Sequence, residues 1–315
     1  MQNAIAVKFR IFFQIPSVYN NAFIFLLNLI MTLKQPFLLA AMLCCGVASF
    51  SQTSVTDTSS PASNTGKTAA IYTIKPKIDI PLFVGTAALT LFNFSRISAK
   101  DAADPNYVQT LNKDKVNWFD RWGVRAYSKS NDRTSYIPFY VAAPLPLAVF
   151  AIDNKMRKDF FKLSFLYAEA MTITGVLYTS AAAYTNRFRP MVYDAGTPIE
   201  KRTESDSKKS FFAGHVALVA TSTFFIARVF ADYHPESNLK WLYYSIASGA
   251  TLLTAYYRQA AGEHFPSDII LGAAVGTLSG ILTPSIHQKK IIKNQHLSII
   301  PFGTQGAGFT AFYRL

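Results

Sequence analysis

Tyr257-Arg-Gln-Ala-Ala-Gly-Glu-His-Phe-Pro-Ser-Asp268 is a polar, punctuated stretch, yet it joins two of the most apolar segments of the chain. Arg258 closes one helical pattern, Ala260-Ala261-Gly262 turns the chain, and Phe265 to Asp268 opens the next helix, with Pro266 suited to its first position. His264 and Asp268 are four residues apart, the spacing at which side chains meet at a helix start. A histidine whose tautomer is fixed by a carboxylate is a nucleophile or base, and an arginine reaching the same spot holds an anion. Taken alone, the same residues read first as a cap and a surface hydrogen bond.

Working outward, six apolar segments follow one another over residues 80–95, 137–153, 163–186, 212–231, 241–257 and 267–286. They are too long for strands and rich in Ala and Leu, so the expected fold is all-α, an up-and-down bundle of about six core helices. The connection 96–136 mixes charges of both signs with Trp118, Trp122 and Tyr127 and is expected to hold a helix of its own. Two further polar islands interrupt the apolar pattern. One is Tyr184-Thr-Asn-Arg-Phe-Arg-Pro190, and the other is Ser210-Phe-Phe-Ala-Gly-His215. In an up-and-down bundle the end of helix three shares a face with the start of helix four, as the end of five does with the start of six. Arg189, His215, Arg258, His264 and Asp268 therefore converge on one end.

That set is what phosphoryl transfer through a histidine requires. Arg189 and Arg258 grip phosphate oxygens, and backbone N–H groups near Gly214 face the same anion. His264 attacks phosphorus, Asp268 holds its ring, and His215 protonates the leaving oxygen and then activates water. No cluster with metal-ligand spacing accompanies them, so neither a metal nor another cofactor is expected. Each residue also has an ordinary structural reading: Arg189 as a cation at a helix C-terminus, His215 as a core histidine, Asp268 as a dipole partner. Glu263 and the pair Tyr256-Tyr257 are read as structural.

Composition sets the limits. Half of the 315 residues are hydrophobic, and 31 Lys and Arg against 18 Asp and Glu give a net charge of +13, which points to an anionic partner. With few charges, many aromatics and no nucleic-acid-binding motif, the chain is not expected to bind nucleic acid. Cys44 and Cys45 offer neither a disulfide framework nor a metal site. Residues 1–50 hold apolar runs that read as signal or anchor segments, with a start at Met31 one option. Residues 51–74 read as a flexible polar linker, 75–293 as the helical domain, and 294–315 as a tail with a short β-hairpin.

The three islands resemble the type 2 phosphatidic acid phosphatase (PAP2) family, which also includes bacterial class A acid phosphatases and vanadium haloperoxidases. The family signature is Lys-x6-Arg-Pro, then Pro-Ser-Gly-His, then Ser-Arg-x5-His-x3-Asp. This chain carries Arg189-Pro190, Gly214-His215 and Arg258-x5-His264-x3-Asp268 in that order, across roughly residues 80–286. The resemblance implies a helical-bundle phosphatase acting on lipid or small phosphoesters, with a vanadate-dependent haloperoxidase or a weakened, non-catalytic anionic-lipid binder as alternatives. The chain departs from the pattern at Ala182, Phe212, Ala213 and Tyr257, where the family has Lys, Pro, Ser and Ser. Arg187, Lys208 or Lys209 are candidates to restore the missing charge.

The apolar segments point to a membrane, although 80–95 and the Pro-containing 137–153 are short or broken for a span. Lys155, Arg157, Lys158, Lys162, Lys240, Lys289, Lys290 and Lys293 fall on the face opposite the site, which under the positive-inside rule puts the site outside the cytoplasm. The expected location is a bacterial-type envelope, inner membrane or periplasm, with the site facing the periplasm. A cleaved signal followed by six crossings would put it on the other side, so the two readings exclude each other.

Overall fold

The computed structural model describes residues 71–288 together with the backbone of 297–302 and 308–313. The apolar runs of residues 1–50 and most of the polar linker lie outside them.

Among the described residues nine α-helices follow in order: α1 (Pro76–Ser98), α2 (Pro105–Gln109), α3 (Lys129–Ala142), α4 (Leu145–Ile152), α5 (Phe160–Tyr184), α6 (Ile199–Thr203), α7 (Gly214–Tyr233), α8 (Lys240–Ala260) and α9 (Pro266–His287). The all-α expectation holds. Helices α1, α5, α7, α8 and α9, with α3 and α4 as a sixth leg, run up and down. The sixth leg breaks after Ala142 because Pro144 brings no N–H to the ladder. Proline opens α1 and α9, where a missing N–H costs nothing and the fixed φ favours the first turn. The bundle's chain ends meet at one end: Tyr72 bridges Gln288, and the Thr73 N–H donates to the His287 carbonyl at 2.9 Å.

Helix α7 is the centre, with α9, α8, α5 and α3 packed around it. About 72% of its most apolar window is buried, against 17% for α1. The contact with α9 is close because one face of α9 is Gly272, Gly276 and Gly280. A methyl group at Gly272 would stand 2.6 Å from the Ala213 carbonyl and one at Gly280 2.7 Å from that of Thr221; at Gly276 the approach to Ala217 is tighter still. Only glycine lets the two backbones meet in this way.

The bundle's main apolar cluster gathers Phe150, Met156, Leu163, Leu166, Tyr167, Phe225 and Val229 in the half near Tyr72. The other end is covered by the connections 99–128 and 185–213, which hold α2, α6 and four of the five short 3-10 turns. This cap layer has its own small core of Ala103, Val108, Leu111, Met191 and Val192. Buried Arg202 stitches it, donating to the carbonyls of Val192 (2.8 Å) and Val108 (2.9 Å).

Large apolar side chains also face outward, among them Ile78, Val84, Phe92, Val141, Leu252 and Ile286. Five segments are long and apolar enough to cross a membrane: Pro76–Ser98, Lys129–Ile152, Met156–Tyr184, Gly214–Tyr233 and Pro266–His287. An apolar belt of this extent belongs to a protein solvated by lipid rather than by water. The two segments that looked short from sequence are extended by flanking residues to full spans. Among the described residues, helix α8 is instead the one long helix outside that set, its tyrosines and Arg258 lowering its hydropathy. Beyond α9, strands β1 (Leu297–Phe302) and β2 (Gly308–Tyr313) pair antiparallel, with Leu297 opposite Tyr313 and Phe302 opposite Gly308. This is the hairpin expected from the tail.

Candidate active site

The turn between α8 and α9 is shaped by Gly262, whose φ of +73° is open to glycine at little cost. Its carbonyl accepts the Met191 N–H at 3.0 Å, and a side chain there would meet the Arg125 carbonyl at 3.0 Å. The turn is thereby tied to the segment after Arg189-Pro190, and two of the polar islands are brought together.

His264 follows, 3% exposed. Its Nδ1 lies 2.7 Å from the Ser210 carbonyl, which can only accept, so Nδ1 carries the proton. Nε2 is left with its lone pair facing Arg258 Nη2 at 3.4 Å. Burial, and then the charges of Arg258 and Arg189, hold the His264 pKa well below the usual histidine range; the Ser210 carbonyl opposes them and His215 adds to them. The ring is held neutral and oriented, with the Nε2 lone pair free.

Arg258, 2% exposed at the end of α8, donates to Asp132 Oδ1 (2.7 Å), Ser135 Oγ (3.2 Å) and Glu263 Oε2 (2.8 Å). Arg189 pairs with the same Glu263 Oε2 and stands 3.7 Å from Asp206. One carboxylate thus bridges the two arginines. The Nε groups of both are buried without a hydrogen-bond partner. His215, on the first turn of α7, is half-buried and packs edge-on against Tyr136 (4.6 Å) and Phe139 (5.2 Å). Gly214 is required beside it, since a methyl group there would stand 2.7 Å from the Tyr178 ring. No side chain caps α7, because Ala213 has no oxygen to offer the first-turn N–H groups.

Two expectations need correction. Asp268 does not hold the His264 ring. As the third residue of α9 it turns back on its own helix start: Oδ2 accepts the Phe265 N–H (3.0 Å) and the Ser210 hydroxyl (2.6 Å), while Oδ1 lies 3.2 Å from Arg187. Its link to the ring passes through Ser210, whose hydroxyl it accepts and whose carbonyl accepts from His264. Nor is Arg187 turned toward Arg189 and Arg258 as a phosphate ligand. Its guanidinium donates to Asp120 (2.6 Å) and Ser267 (3.0 Å), and lies over the Phe265 ring at 5.0 Å. Burial alone would raise the Asp120 pKa, but hydrogen bonds from Asn117, Ser267 and Arg187 outweigh it and hold it below the usual carboxylate range.

Lys208 and Lys209 do not replace the family lysine either, since their ammonium groups go to the Ala102 carbonyl and to Asp206. Ala182 is fully buried. Sequence reasoning missed Glu263, Asp132, Asp120 and Ser210. Glu263 carried a usable signal, a carboxylate inside the motif between its Arg and its His, whereas Asp132 and Asp120 lie in a connection with no spacing to mark them.

The family model of the PAP2 superfamily covers the segment in which all three islands lie. Residues 163–292 match the PAP2 superfamily. The resemblance read from the motifs is thereby shown for α5 to α9, while α1 to α4, Asp120 and Asp132 lie outside the match. No curated protein matches the chain. Among solved structures, the chain is similar to Aquifex aeolicus LpxE, at 23% identity over 56% of this chain and 92% of that one, with a TM-score of 0.35. It is also similar to a transmembrane PAP2-type phosphatidylglycerolphosphate phosphatase from Bacillus subtilis, at 20% identity over 67% and 98% of the two chains, with a TM-score of 0.39.

Proposed function

We propose that the protein is a phosphatase that removes phosphate from a lipid-borne monoester or diphosphate through a phosphohistidine on His264. The observation that carries this reading is the His264 ring, fixed by the Ser210 carbonyl so that its free Nε2 faces the Arg258 guanidinium. Phosphate oxygens bind Arg189 and Arg258, displacing the Glu263 carboxylate from the same guanidinium groups and reaching their unpartnered Nε donors. The first-turn N–H groups of α7 add dipole and donors. Nε2 attacks phosphorus and the bond to the leaving oxygen breaks, with His215 supplying a proton to that oxygen. Water, deprotonated by His215, then displaces phosphate from Nε2.

The donor set is guanidinium and imidazole, and its one central carboxylate is shared by two arginines, so the reaction as proposed uses no metal and no cofactor. Lacking the family lysine and serine, the site forgoes charge-assisted contacts of about 1.5–3 kcal/mol each, roughly ten- to a hundredfold in affinity. The test is phosphate release by purified protein from lipid phosphates, isoprenoid diphosphates and simple phosphomonoesters, with His264→Ala alongside. Equal release by both proteins sinks the proposal, as does failure to trap an acid-labile phosphoprotein.

Lipid as carrier of the phosphate rests on the apolar belt and the five potential spans. A periplasm-facing site rests on Lys155, Arg157 and Lys158 in the short connection at the opposite end, although the longer site-end connections carry Lys113, Lys115, Lys201 and Lys208. Lys113→Cys and Lys158→Cys, each made in a chain with Cys44 and Cys45 replaced by Ser and labelled by an impermeant thiol reagent in intact spheroplasts, decide it. Labelling at position 113 alone is expected; labelling at 158 alone reverses the orientation.

A further inference from the structure

The end of the bundle away from His264 buries a second group of ionisable side chains, for which phosphate chemistry has no use. Asp79 near the start of α1, Glu169 in α5 and His287 at the end of α9 each offer one donor atom, and the three atoms lie within 4.8 Å of one another. All three residues are buried, Glu169 to 2% exposure. They border a cavity of about 190 Å³ that Thr73, Lys75 and Thr283 also line.

The His287 Nδ1 lies 2.7 Å from the Thr283 carbonyl one turn back, so Nδ1 holds a proton and Nε2 is aimed at the carboxylates. Nε2 stands 3.3 Å from Asp79 Oδ2 and 3.6 Å from Glu169 Oε2. Neither contact has hydrogen-bond geometry, and Glu169 Oε2 is a buried oxygen that accepts no hydrogen bond. The nitrogen sits between the two carboxylates. Lys75, the cation among the described residues lining the cavity, has its side chain exposed rather than buried with the acids.

Two carboxylates and an imidazole nitrogen converge on one point, with Asp79 Oδ2 also accepting the Lys75 backbone N–H at 2.5 Å. Ligands about 2.0–2.2 Å from a tetrahedral ion are about 3.3–3.6 Å from each other, the separations found at Nε2. The imidazole is also held as metal-binding histidines are, with its other nitrogen donating to a backbone carbonyl. We propose that Asp79, Glu169 and His287 bind one divalent transition-metal ion of the zinc class, with water from the cavity as the fourth ligand. The ion would tie α1, α5 and α9 together at the end where the chain enters and leaves the bundle. This inference does not depend on the phosphatase reading.

The test uses full-length protein in detergent, stripped with a chelator and titrated with Zn2+, or with Co2+ as a spectroscopic substitute. Expected are one equivalent per chain by calorimetry, a Tm that rises with Zn2+ concentration, and a visible Co2+ band. Glu169→Gln and His287→Ala should each weaken binding at least about tenfold, while His264→Ala binds as wild type does. Zn2+ binding equally well to wild type and His287→Ala overturns the proposal, as does wild type that takes up no ion. Should both variants fail to fold, wild type alone decides: a Co2+ spectrum with an imidazole ligand supports the site, and one without it overturns it.

Discussion

The two ends of this bundle bury ionisable groups in opposite states of satisfaction. At the capped end Glu263, Asp132, Asp120 and Asp268 each face a guanidinium, and the Nε donors of Arg189 and Arg258 are left over beside one acceptor, Asp268 Oδ1, which keeps Arg187 at 3.2 Å. At the other end Asp79 and Glu169 face one imidazole, and the groups left over include an acceptor, Glu169 Oε2. Spare buried donors call for an anion and spare buried acceptors for a cation. The contrast separates two histidines of the same chain. The His264 lone pair faces an arginine, whereas the Nε2 of His287 faces carboxylates.

The sharpest way to break this contrast is His264→Ala, which should lower kcat at least about a thousandfold while leaving Zn2+ binding at the far end unchanged. Loss of both would mean that the two ends fold and fail together. Next comes Arg258→Ala, expected to cost about a hundred- to a thousandfold in kcat/KM, measured with the best substrate of the panel. Because it strips Glu263 and Asp132 of a buried partner, Arg258→Ala should also destabilise by about 3–5 kcal/mol, visible in thermal unfolding.

A smaller effect of opposite sign is expected for Glu263→Gln. Removing the carboxylate that competes for both arginines should tighten inorganic phosphate inhibition by about tenfold, and unchanged inhibition would remove Glu263 from the site. The smallest effect is on pH dependence. The folded pKa of His264 lies below its unfolded value of about 6.5, so its contribution to stability is full above pH 6.5 and is lost as pH falls and the unfolded chain takes up the proton. Catalytically, kcat/KM corrected for substrate ionisation should show no acid limb near pH 6.5. A limb there would mean that the nucleophile titrates as an exposed histidine does.

Much of the capped end was legible because its residues are contiguous. Pro266 and Gly262 announced a helix start and a turn, and the periodic apolar segments gave all six legs of the bundle to within a few residues, apart from the start of α3. The Asp268 error was local in origin. Four-residue spacing puts two side chains on one face, but a carboxylate at the third position of a helix finds backbone N–H groups nearer than any ring, and it capped its own helix. The missing length of the two short segments came from polar flanks such as Lys129 to Arg133, which helical periodicity of apolar residues does not register. Asp79, Glu169 and His287 were invisible for another reason: three helices from distant parts of the chain must first pack, and no short spacing encodes that.

The glycine face of α9 has a consequence for what the protein can reach. Gly272, Gly276 and Gly280 lock α9 against α7 backbone to backbone, so the helix has no room to slide as a piston. Asp268 and His287 near its two ends are therefore a fixed distance apart, about 29 Å at 1.5 Å per residue, close to the roughly 30 Å thickness of a bilayer's hydrocarbon. The helix acts as a depth gauge. Under the proposed function it would hold the His264 end at the boundary between lipid and water, and a lipid substrate would have to bring its phosphate to that level, because the site could not descend to meet it.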